Sequence, residues 1–111
     1  MLLHWLNALF AASLRWDCSG GRLTRFEGFK RRSVSLHDIL AVDLRCSDMV
    51  TFDSVFLVVS TVDVALHFGE LDFPIIEIVE ALRESGLDLV KIKPEMISDL
   101  HPGQSIELLR R

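Results

Sequence analysis

Residues 53 to 86, DSVFLVVSTVDVALHFGELDFPIIEIVEALRESG, constrain the fold more than any other stretch of this 111-residue chain. Val55, Phe56, Leu57, Val58 and Val59 form an unbroken apolar run of strand length, and Thr61-Val62-Asp63 is polar enough to turn it. Val64, Leu66 and Phe68 then alternate with Ala65, His67 and Gly69, a period of two that shows one side to a core. The pair reads as an antiparallel hairpin. After Gly69 the period changes to that of a helix over 74 to 85, with Ile75, Ile78, Val79 and Leu82 on one stripe. Pro74 suits a first helical turn, Asp72 is the cap candidate ahead of it, and Gly86 falls where a left-handed C-terminal cap belongs. Burying that stripe on the ribbon is worth at most about 6 to 12 kcal/mol, at roughly 1.5 to 3 per side chain. The helix is too short to persist alone in water, so helix and ribbon depend on each other.

Upstream, the chain alternates in short strands. Leu14, Trp16 and Cys18 oppose Arg15 and Asp17, Ser19-Gly20-Gly21 turns the chain, and Arg22 to Phe26 returns. Glu27-Gly28-Phe29-Lys30 is the next turn, where Gly28 can take a positive φ, and Arg31 to Leu36 is a third strand. Ser35 to Asp38 fits either a single helical turn or a strand edge running into Ile39. Ala41 to Cys46 alternates again, and residues 47 to 52 connect it to the apolar run. Beyond the helix, Leu87 to Ile92 reads as a strand ended by Pro94, Glu95 to Leu100 as a helical turn, and Ser105 to Leu109 as a last edge strand. Leu2, Leu6, Leu9 and Phe10 match a short N-terminal amphipathic helix over 2 to 12. That apolar start has no Lys or Arg ahead of it and is shorter than a membrane span, so it reads as part of the fold, with a cleaved leader as the alternative.

The expectation is one α+β domain over 1 to 111: a single antiparallel sheet of five to seven strands, the 74 to 85 helix on one face, and the short N-terminal helix. Cys18 and Cys46 align with inward-pointing neighbours and show no CxxC spacing, which favours two buried free thiols over a bridge.

Charge is unevenly placed. Residues 1 to 48 hold seven Arg or Lys against five Asp or Glu, and residues 49 to 111 hold five against eleven, so +2 and −6 sum to the net −4. An acidic second half argues against nucleic acid as the main partner and leaves a basic protein open. Glu77, Glu80 and Glu84 lie opposite the apolar stripe, with Glu70, Asp72 and Asp88 at the helix ends, a face suited to steering a basic partner. Arg22, Arg25, Lys30, Arg31 and Arg32 cluster around one turn with Phe26 and Phe29 interleaved, which suits phosphates or a membrane surface. The plainer reading of both is a solvated face and an edge charged against aggregation.

His4, His37, His67 and His101 lack metal-ligand spacing, and no nucleophile elbow, phosphate loop or dinucleotide fingerprint is present. No enzyme, cofactor or metal is therefore expected. The order of landmarks, RRSVSLHDILAVDLRCSDMVTFDSVFLVV, an acidic turn, then FGELDFPIIEIVEALRESG, resembles small bacterial proteins with a pleckstrin-homology-like or similar meander. Some small acidic proteins of this build look like immunity proteins, which implies a module that neutralises a co-encoded toxin. The leading expectation is a non-enzymatic, cytoplasmic protein-binding module of immunity type, occluding a basic toxin domain with the acidic helix side. The alternative is a pleckstrin-homology-like lipid or phosphate-binding module using the basic turn. The apolar start and the C-terminal edge strand also suggest a two-fold homodimer.

Overall fold

Two glycines with positive φ, Gly20 at 60° and Gly21 at 72°, turn the first strand back on itself, as a tight hairpin demands. The computed structural model describes residues 14–48 and 54–111. Strands β1 (Leu14–Ser19), β2 (Arg22–Glu27) and β3 (Lys30–Ser35) form a three-stranded antiparallel sheet. A second sheet holds β4 (Ala41–Cys46), β5 (Val55–Ser60), β6 (Ala65–Gly69) and β7 (Ser105–Arg110), in the order β6-β5-β4-β7. Helix α1 (Ile75–Glu84) follows β6, and the short helix α2 (Pro94–Ser98) precedes β7.

The fold is thus α+β and antiparallel, but the single sheet is corrected to two. The break comes at Leu36–Asp38, a 3-10 turn. Leu36 donates its N–H to the Gly21 carbonyl and closes the first sheet, while Leu36 and Ile39 both enter the core. A strand continuing through this segment would send one of them outward, because side chains three apart lie on opposite faces. The chain turns a corner instead, and β4 starts a new sheet.

One core joins the layers. Leu23 and Val34 from the first sheet, Val42, Leu44, Leu57, Val59, Leu66 and Phe68 from the second, and Ile75, Ile78, Val79 and Leu82 from α1 belong to one buried cluster. The helix stripe therefore packs where both sheets present their inner faces, and Cys18 of β1 comes within 3.5 Å of Ser85 at the end of α1. Cys18 is half-buried and Cys46 buried, and no disulfide joins them. Helix α1 ends as its sequence suggests. Gly86, at φ 106°, donates to the Arg83 carbonyl while Leu87 donates to that of Leu82, the paired bonds of a Schellman motif, and both leucines are buried.

Two local expectations are corrected. Asp72 does not cap α1: Pro74 occupies the cap position with no side-chain bond, and the N–H groups of Asp72 and Phe73 turn back to the Gly69 carbonyl. Leu87 to Ile92 is not a strand. Leu87, Leu89 and Ile92 all face inward, a spacing of two then three that a pleated strand cannot keep, and only Val90 reaches β7, donating to the Leu108 carbonyl at 3.3 Å. That carbonyl belongs to a bulge. Val42 pairs with Leu109 and Asp43 with Glu107, which leaves Leu108 as the extra residue, turned into the core. The N-terminal helix over 2 to 12, with the homodimer argued from it, and residues 49 to 53 of the connection lie outside the described residues.

Candidate functional site

The basic turn is built by β2 and β3, and strand pairing decides where its cations go. Arg25 lies opposite Arg32 and Glu27 opposite Lys30, so these four share the inner face of the hairpin with Leu23 and Val34. Arg22 and Arg31 alternate onto the outer face. The five cations are therefore split between two surfaces.

On the inner side, Arg25, Glu27, Lys30 and Arg32 face Ala65, Leu66 and His67 of β6 across a cleft of about 260 Å³. Arg25 spans it: its Nε donates to the His67 carbonyl at 2.9 Å, its guanidinium sits 5.0 Å from the Phe73 ring centre, and it pairs with Glu27 at 3.0 Å. The hydrogen bond from Arg25 and its charge hold the Glu27 carboxyl below its ordinary range, with Lys30 and Arg32 adding to the effect. Arg25 thus fastens the first sheet to the free edge of the second. Among the described residues, Lys30 and Arg32 have no hydrogen-bond or ion-pair partner, so they remain open to a ligand. On the outer side, Arg15 and Arg31 lie over the Phe26 ring at 5.1 and 6.0 Å, and Arg22 donates to Ser33 Oγ. Phe26 is accordingly half-covered, while Phe29 at the hairpin tip is fully exposed. Gly28, at φ 62°, makes that tip a two-residue turn.

The acidic surface is carried by α1. At 3.6 residues per turn, Glu77, Glu80 and Glu84 fall within an arc of about 60° opposite the buried stripe. Glu80 is tied to Arg83 at 3.0 Å, while no described group pairs with Glu77, Glu84, Asp72 or Asp88. Glu70 stands apart from this row: its Oε1 accepts the Val55 N–H at 3.1 Å, and its own N–H donates to the Val55 carbonyl. It extends the β5–β6 ladder by one step and has a structural part.

Two further features were not legible as a site. A groove of about 480 Å³ runs between α2 and β7, floored by half-buried Met96, Leu100 and Ile106 and flanked by exposed Glu95 and Asp99. On the outer face of the second sheet, Asp43 is buried between Arg45 at 3.5 Å and Arg110 at 4.0 Å, and Arg110 also pairs with Glu107, which raises the arginine pKa. Among the described residues, no group of three or more His, Cys, Asp or Glu side chains could hold a metal ion, and no helix is long and apolar enough to cross a membrane.

No family model matches the chain, and neither the curated proteins nor the solved structures contain a match.

Proposed function

We propose that this chain is a non-enzymatic protein-binding module whose acidic helix side receives a basic partner. One observation carries the reading: the buried side of α1 is wholly committed to the core, and its outward side presents Glu77 and Glu84 with no described counter-charge. Two glutamates held on a rigid element without local partners attract cationic groups at long range and set the orientation of encounter. Asp72 and Asp88 extend the same field at the two ends of the helix. In its most concrete form the module is of immunity type, and the partner is a basic toxin domain encoded beside it.

The test is a titration of the protein against the product of the adjacent gene, paired with growth of cells that express that product. Binding that weakens steeply between 50 and 500 mM salt, and protection lost in a Glu77→Lys, Glu84→Lys variant of unchanged stability, support the module. Equal binding and protection by that variant would remove the acidic side from the interface.

A second reading is favoured by the cleft, where Lys30 and Arg32 face β6 unpaired. There the module would hold a phosphate group, free or on a lipid surface. Sedimentation with anionic vesicles at low salt tests it, and retention of an Arg31→Glu, Arg32→Glu variant equal to that of the parent protein would dismiss it.

A further inference from the structure

The hairpin tip and the groove beside α2 are complementary in polarity and charge. Phe29 is an aromatic side chain standing clear of its own domain, at 110% relative exposure, on a turn followed by Lys30, Arg31 and Arg32. A full-length apolar ring presented to water at a rigid turn is a poor surface residue and a good anchor. The groove offers what such an anchor needs: Met96, Leu100 and Ile106 as an apolar floor, and Glu95 and Asp99 as a carboxylate rim. No described group pairs with either rim carboxylate.

The tip cannot reach the groove of its own chain. Glu27 and Lys30, which bracket the tip, line the cleft against β6, whereas Ser105 and Ile106 of β7 line the groove. These strands are the opposite edges of the four-stranded sheet, separated by three strand spacings, or about 14 Å across the sheet alone. We propose that Phe29 of one copy enters the Met96–Leu100–Ile106 groove of a second copy, with the tip cations meeting Glu95 and Asp99. Because tip and groove are different surfaces, two copies can exchange them reciprocally about a two-fold axis or engage one of each, head-to-tail. An unreciprocated pair leaves one tip and one groove free, so association then continues past the dimer as concentration rises. The single aromatic anchor and exposed charges make it weak and salt-sensitive.

Analytical ultracentrifugation of the full chain tests this at low salt, from micromolar to millimolar concentration. The expected result is a weight-average mass that climbs above the 12.6 kDa monomer and falls back when salt is raised. Phe29→Ala disables the tip, and Glu95→Lys with Asp99→Lys disables the groove; all three positions are exposed, so the fold is untouched. Each variant alone should associate at least tenfold more weakly than the parent. Mixed together they should pair, the intact groove of the first receiving the intact tip of the second, and stop at twice the monomer mass. Three results would each overturn the proposal: a parent protein that stays monomeric at millimolar concentration, Phe29→Ala associating like the parent, or a mixture that remains monomeric.

Discussion

Replacing Arg25 by methionine should loosen the joint between the two sheets while leaving each sheet intact. Methionine keeps an unbranched stem of similar length, so the loss is confined to what the guanidinium does. Its bond to the His67 carbonyl is charge-assisted; such bonds are worth roughly 1.5 to 3 kcal/mol, and the lower end applies because a carbonyl on a free edge can turn to water. The cation–π contact with buried Phe73 adds about 1 kcal/mol, since the arginine side chain is only 22% exposed. The pair with exposed Glu27 is screened and is left out of the sum. Against these stands relief of the like charge directly opposite, Arg32. The net expectation is a destabilisation of about 2 kcal/mol. With a urea m-value of roughly 1 to 1.5 kcal/mol/M, the unfolding midpoint should drop by about 1.5 M at unchanged slope. A cycle with Phe73→Leu isolates the ring contact and should return a coupling of about 0.5 to 1.5 kcal/mol. A midpoint shift below about 0.3 M, or additive single effects, would show that the sheets are joined by the shared apolar core alone.

Other perturbations separate the remaining contributions. Leu82→Ala removes a fully buried side chain from the α1 stripe and should cost about 2 to 5 kcal/mol in urea unfolding, a large fraction of what holds a domain of this size folded. Gly86→Ala meets no atom within 4 Å, so its expected loss of about 1 kcal/mol reports backbone strain at φ 106° alone; an unchanged midpoint would deny the Schellman cap its role. The lowered Glu27 pKa contributes stability that is fully present above the ordinary carboxylate value of 4.5 and disappears as the pH falls through the lower folded-state value. Urea midpoints followed downward from pH 6 should therefore fall less steeply in Glu27→Gln than in the parent. Parallel profiles would mean that solvent screens the pair completely.

The hairpins and the long helix were legible because each is specified by residues close in sequence. Gly20-Gly21 and Gly28 supply the φ values their turns require, and Thr61 closes the β5–β6 turn through its own Oγ1, which accepts the N–H groups of Asp63 and Val64. The α1 stripe repeats at helical spacing, and Gly86 ends it. Failures occurred where a distant segment decides. Ser35 to Asp38 fits a helical turn or a strand edge equally well in sequence, and the bond from Leu36 to Gly21, fifteen residues back, goes with the turn. Leu87 to Ile92 is apolar enough for a strand, yet its inward residues are set by the core they fill, at a spacing no ladder supports. The absence of a ladder there leaves much of β7 as an edge, with a bulge at Leu108 where the one crossing bond forms.

The same distinction applies to the charged residues. Their sign and number can be read from the chain, but whether a charge is free depends on partners far away in it. Arg25 stands beside the same turn as Arg22, Lys30, Arg31 and Arg32, yet a carbonyl forty-two residues later and the Phe73 ring take it out of any ligand site. Glu70 is withdrawn from the acidic row in the same way by the Val55 N–H. Lys30 and Arg32 on one side, and Glu77 and Glu84 on the other, survive this filter. The two sets differ in geometry: the cations look into a cleft narrowed by β6, which suits a small anion, whereas the glutamates stand on an open convex helix, which suits a broad partner. A small anion such as inorganic phosphate should therefore protect Lys30 from amine modification and leave the α1 carboxylates reactive, while a bound basic protein should do the reverse. Protection of both sets by one ligand would mean that the two surfaces act as a single interface.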